Sequence, residues 1–70
     1  MTLKEIAIEL FNHSEIEDIH MIDLVVVFYH HDREYNIRFS DYDQKFILNL
    51  ENGLNVEFDN LQTAIDFVLV

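Results

Sequence analysis

Three short segments alternate apolar and polar residues with a period of two, and this constrains the fold more than any other feature of the chain. Tyr35, Ile37 and Phe39 alternate with Asn36, Arg38 and Ser40. Phe46, Leu48 and Leu50 alternate with Lys45, Asn49 and Glu51, with Ile47 the one apolar exception. Leu54, Val56 and Phe58 alternate with Asn55 and Glu57. Successive side chains of a strand point to opposite faces, so each segment reads as a strand with one buried face. Asp41-Tyr42-Asp43-Gln44 reads as the turn between the first two.

The last hairpin fixes its own register. Asn52-Gly53 suggests a two-residue turn, but that turn pairs Leu50 with Asn55 and Leu48 with Glu57. A three-residue loop, Glu51-Asn52-Gly53, instead pairs Leu50 with Leu54, Leu48 with Val56 and Phe46 with Phe58. A one-residue slip inverts a face, so burial selects the longer loop. Gly53, the only glycine, then takes the left-handed position of a bulge-type turn.

Leu24 to His31 is β-branched and aromatic, which favours a strand. It is apolar on both faces, Val25/Val27/Tyr29 on one and Val26/Phe28/His30 on the other. The turn His31-Asp32-Arg33-Glu34 follows. A strand with two apolar faces in a meander points to burial on both sides or to a partner chain.

Both ends read as helix. Thr2-Leu3-Lys4-Glu5 is a capping box, and Leu3, Ile6, Ala7, Leu10 and Phe11 follow the spacing of an amphipathic helix over 3–12. Ser14-Glu15-Ile16-Glu17 repeats the box, and Ile16 and Ile19 are three apart. That spacing predicts a short helical turn before the chain reaches Leu24. Asp59 or Asn60 caps the final helix, with Asp59 and Gln62 a further box-like pair, and Leu61, Ala64, Ile65 and Val68 form its stripe. The final helix has no glycine stop and no basic residue in its last turn, and the terminal carboxylate faces the negative end of its dipole. Phe67 to Val70 therefore read as docked on the sheet or on a partner. The expected fold is one α+β domain over 1–70: an N-terminal helix, a four-stranded antiparallel meander and a C-terminal helix, both helices on one sheet face.

Charge narrows the function. Fourteen acidic residues face four basic ones, for a formal net charge of −10. Residues 1–23 carry six acids and Lys4; residues 41–70 carry six acids and Lys45; each block sums to −5, and 24–40 sums to zero. Half of the residues are nonetheless hydrophobic, so the charge belongs on the outside of a real core. Nucleic acid and anionic lipid both call for Lys and Arg, so direct binding to either is excluded as an expectation. The chain has no cysteine, hence no disulfide and no thiolate zinc site, which fits a cytoplasmic setting. Its first residues do not read as a signal peptide, and the apolar run from Leu24 to Tyr29 is too short to span a bilayer.

No motif carries catalysis. His13, Glu17 and His20 would share a face if their stretch were helical, and Glu17-x-x-His20 has a carboxylate-metal spacing. Such sites need two motifs and further carboxylates, so solvated side chains are the better reading. His30 and His31, adjacent on a strand, point to opposite faces. Asp41-Tyr42-Asp43 opens like a calcium loop but lacks its glycine and distal glutamate. Asn12-His13-Ser14 matches a glycosylation acceptor by chance. With no thiol and no glycine-rich loop, neither an enzyme nor a cofactor is expected.

From Val27 to Leu69 the chain resembles the YkuJ-like family, short Gram-positive proteins of unknown function. The likeness lies in the tight hairpins and in Phe58-Asp59-Asn60 leading into a closing helix with Ile65 and Phe67. It implies a meander followed by a helix, and no active-site residue.

The functional expectation is a small cytoplasmic interaction module whose acidic surface binds a basic protein surface. A specific form is an inhibitor or immunity protein that masks a nucleic-acid-binding site with carboxylates in place of phosphates. Its candidate contacts are Glu5, Glu9, Glu15, Glu17, Asp18, Asp41, Asp43 and Asp66. Tyr42 is either an exposed contact or a turn residue folded back on the sheet. The alternative is a homodimeric structural or regulatory subunit that pairs through the strand at 24–29 or the C-terminal helix, with Val26, Phe28, His30, Phe67 and Val70 at the interface and the charge serving solubility.

Overall fold

The computed structural model describes residues 1–70 as α1 (Leu3–Phe11), β1 (Glu17–Ile22), β2 (Val25–His30), β3 (Arg33–Ser40), β4 (Lys45–Leu50), β5 (Asn55–Phe58) and α2 (Leu61–Leu69). The strands form one antiparallel sheet in the order β1-β2-β3-β4-β5. The α+β class is as expected, but the meander has five strands rather than four. The added strand is Glu17–Ile22, where the spacing suggested a helical turn.

A bulge explains the difference. Glu17 pairs with Tyr29 and His20 with Val27, so β1 uses three steps where β2 uses two. Asp18 sits there at φ 51, a conformation Asp tolerates better than most residues. The extra residue lets Ile16 and Ile19, three apart, both turn toward the core. A helical spacing is thus produced by an irregular strand, and the second capping box does not form.

The first capping box does form. The Thr2 hydroxyl accepts from the Glu5 N–H, and the Glu5 carboxylate accepts from the Thr2 N–H at 2.9 Å. That backbone hydrogen bond holds the Glu5 carboxyl below the ordinary glutamate range. Ile6, Ala7 and Leu10 are buried, but Phe11 is exposed. At about 100° per residue, Phe11 falls at the far edge of the stripe centred on Ile6 and Leu10. At α2 the cap is Asn60, whose side chain accepts from the Thr63 N–H at 2.8 Å. Asp59 is free to ion-pair with Lys45, and Gln62 reaches Asp66 instead of closing a box.

The two turns nearest β2 are tighter than the sequence suggests. His31 and Asp32 form a two-residue loop with both φ values positive, 51 and 62, and pairing resumes at Arg33. Two left-handed residues match the right-handed twist of the flanking strands. Leu24 lies in the β1–β2 turn with Asp23 rather than in the strand. The last hairpin has the register that burial selects. Phe46 pairs with Phe58 and Leu48 with Val56. Gly53 sits at φ 90.

Both helices cover the same sheet face, α1 over β1 to β3 and α2 over β4 and β5. Val26, Phe28, Ile37, Phe46 and Leu48 from the sheet meet Ile6, Leu10 and Ile65 from the helices in one cluster. Val26 and Phe28 are therefore the centre of the core, with His30 buried at its margin. These three cannot serve as a dimer surface. The other half of β2 is not bare either. Val27, like Ile47 on β4, is buried on the uncovered face, with no helix over it. Its cross-strand neighbours His20 and Asn36 flank it, and Asn36 Oδ1 accepts a hydrogen bond from the Asn49 side-chain amide at 2.7 Å.

Candidate interaction surface

Folding turns the charge pattern along the chain into a pattern across the sheet. The neutral block supplies β2 and β3, in the middle. The N-terminal −5 block supplies α1 and the β1 edge, and the C-terminal −5 block supplies β4, the β5 edge and α2. All fourteen acidic residues are exposed, and Lys45–Asp59 is the only salt bridge. Thirteen carboxylates thus stand in water without an ion-pair partner, the one paired residue subtracted from fourteen.

The nominated acids do not form one patch. Glu5 and Glu9 project from α1, beside the exposed apolar residues Ile8 and Phe11. Glu15 lies in the α1–β1 connection, and Glu17 and Asp18 lie on the β1 edge. Asp66 is on the outer side of α2. Asp41 and Asp43 occupy the β3–β4 turn, held by local bonds: the Asp43 N–H donates to the Ser40 hydroxyl at 3.3 Å, and the Gln44 amide donates to the Asp41 carbonyl at 2.7 Å.

Tyr42 does not fold back on the sheet; it is 97% exposed. In a meander, alternate turns fall at the same end of the sheet. The β1–β2 turn, with Asp23 and Leu24, therefore lies beside the β3–β4 turn, about 10 Å away at two strand spacings. Leu24 is 78% exposed. This end presents an aromatic and an aliphatic side chain among three carboxylates, Asp23, Asp41 and Asp43. Neither Asp23 nor Leu24 is among the contacts that the sequence suggests, where Leu24 reads as the start of a strand. Only the strand order makes the two turns neighbours.

The opposite end is mixed in charge. His30 lies under the sheet end, its Nδ1 3.0 Å from the Glu15 carbonyl oxygen. His31 has left the strand at positive φ, so the two rings lie 4.0 Å apart rather than on opposite faces. A cleft of about 470 Å3 opens between the end of α2, the start of β3 and the β4–β5 turn. Arg33, Tyr35, Leu50, Glu51, Phe67 and Val70 are among its lining residues. Phe67 packs on Phe58, with ring centroids 5.4 Å apart, while Val70 is fully exposed. Of the five nominated dimer residues, only these two are at the surface.

On the uncovered face, Tyr29 donates its hydroxyl to Glu34 Oε1 at 2.6 Å, and the Glu34 N–H donates to Glu51 Oε2 at 3.0 Å. The hydrogen bond to Glu34, with the nearby charges of Glu34, Asp18 and Glu51, pushes the Tyr29 phenol up. Bonding to Asp59 likewise raises the Lys45 ammonium. His13, Glu17 and His20 share no helical face, because 17–22 is a strand.

No family model, curated protein or solved structure matches the chain. No helix is long and apolar enough to cross a membrane.

Proposed function

We propose that this protein is a small cytoplasmic interaction module whose acidic surface engages a basic surface on a partner protein. One observation carries the reading: every carboxylate is exposed, and only one has a basic partner within the chain. A charge field left uncompensated in the free protein steers a partner of opposite sign and speeds encounter. The end bearing Tyr42 and Leu24 adds what charge alone lacks, an aromatic anchor and apolar area inside a polar rim. A partner that normally holds nucleic acid fits this chemistry, with carboxylates standing where phosphates would be.

The test is calorimetric titration of the protein with poly-lysine and with a basic nucleic-acid-binding domain, over a range of salt. Affinity falls at least about tenfold between about 0.1 and 0.5 M salt if exposed carboxylates carry the contact. In a competition assay the protein also displaces nucleic acid from the basic domain. Binding unweakened at high salt, or no binding to either probe, overturns the reading.

A further inference from the structure

Resting on that reading, we infer that the free edge of β1 is a docking strand for an extended basic segment of the partner, which adds to the sheet as a sixth strand. Three features of the edge support this. First, β1 pairs only with β2, so the backbone groups along its other side have no strand partner. Unpaired edge groups are a template for an incoming strand. Second, the regular stretch His20–Ile22 presents exposed apolar side chains to both faces: Met21 is 55% exposed, Ile22 is 50% exposed, and Leu24 follows in the turn. Third, carboxylates bracket this stretch, Glu17 and Asp18 before it and Asp23 after it.

The bracketing selects the occupant. A second copy of this chain is disfavoured. Paired antiparallel about Ile19 and His20, it would set Asp18 diagonal to Asp23 of the other copy and join two chains of net charge −10. A strand with two or three apolar residues between basic ones meets both features at once. Its apolar residues cover Met21 and Ile22, and its flanking cations meet Glu17, Asp18 and Asp23. The other edge is a poorer template. β5 has four residues against six, and Glu57 and the Lys45–Asp59 pair leave it without a bare apolar stretch.

The test uses two capped synthetic peptides, Lys-Thr-Ile-Val-Thr-Lys, whose adjacent apolar residues face opposite sides of the added strand, and its counterpart with Glu at both ends. Backbone amide exchange is followed residue by residue in the intact protein. The Lys peptide is expected to slow exchange across Glu17–Ile22 by about tenfold or more while leaving β5 unchanged; the Glu peptide has no effect. Asp18 and Asp23 sit at φ 51 and 54; Asp18→Asn with Asp23→Asn keeps residues that accept positive φ, so the fold is retained while binding weakens about tenfold. Ile22→Asp, at an exposed position, abolishes protection. Equal protection by both peptides, or protection at β5 instead of β1, overturns the edge assignment. If poly-lysine binds but β1 gains no protection, the edge proposal alone fails; if no basic probe binds, the acidic-module reading fails with it.

Discussion

The imidazole of His30 and the main chain of Glu15 hold the sheet to the connection that follows α1. The carbonyl can only accept, so His30 donates from Nδ1, at 3.0 Å. His30 is the only buried polar residue of the chain, and this bond ties β2 to residues fifteen positions earlier. His30→Phe keeps the bulk and removes the donor. The expected loss is about 1–3 kcal/mol, read from the urea midpoint at unchanged m-value. His30→Asn, which restores an N–H donor at that edge, recovers part of the loss. A midpoint unmoved in His30→Phe would show that water replaces the bond.

Gly53 tests the last hairpin. Its φ of 90 is the left-handed side of backbone space, and a Cβ added there meets no atom within 4 Å. Any cost of Gly53→Ala is therefore backbone strain rather than collision. About 1–2 kcal/mol is expected, and less for Gly53→Asn. The Leu50 N–H donates to the Leu54 carbonyl at 2.8 Å, and the Gly53 N–H to the Leu50 carbonyl at 2.9 Å. Cross-strand NOEs between Leu48 and Val56 should persist in both variants. Their loss would mean that the turn, not burial, sets the register.

That hairpin was legible because two independent signals agreed: the alternation around 46–58, and a single glycine where a left-handed residue is needed. The Thr2–Glu5 cap and the Leu61, Ala64, Ile65, Val68 stripe were legible for the same reason. β1 was hidden because its bulge converts a two-residue period into the three-residue spacing of Ile16 and Ile19. Polar Glu17 and Asp18 then removed the remaining strand signal. β2 showed its apolar character but not its destination. Whether Val26 and Phe28 face helices or a second chain depends on how far α1 reaches across the sheet, and no local pattern encodes that. The juxtaposition of Leu24 with Tyr42 was likewise invisible, since it follows from strand order alone.

Phe28 separates the core from the surface. It is 1% exposed and stacks on Tyr35 at 5.4 Å, whereas Leu24 is mostly exposed. Phe28→Ala is expected to cost about 3–5 kcal/mol. A 70-residue domain has about 4–10 kcal/mol in all. Phe28→Asp should therefore unfold the chain rather than abolish one contact. Leu24→Ala should shift stability by less than about 0.5 kcal/mol while weakening partner binding. Circular dichroism melts of the three variants check this ordering. A folded, stable Phe28→Asp would contradict the packing.

Tyr29 makes the alkaline behaviour predictable. Neutral Tyr29 donates to Glu34, so ionisation forfeits that bond and sets a phenolate beside a carboxylate, with Asp18 and Glu51 nearby. The folded-state value is raised above that of the unfolded chain. Its contribution to stability is thus fully present below the ordinary phenol range and is lost as pH rises through the raised value. Lys45, raised by Asp59, acts in the same direction. In a phenolate absorbance titration, one of the three tyrosines should ionise above the ordinary range. Tyr29→Phe should delete that late component, and Glu34→Gln should move it to lower pH. The same two variants should flatten the fall in stability on the alkaline side. If the late component survives in Tyr29→Phe, the hydrogen bond to Glu34 is not its source.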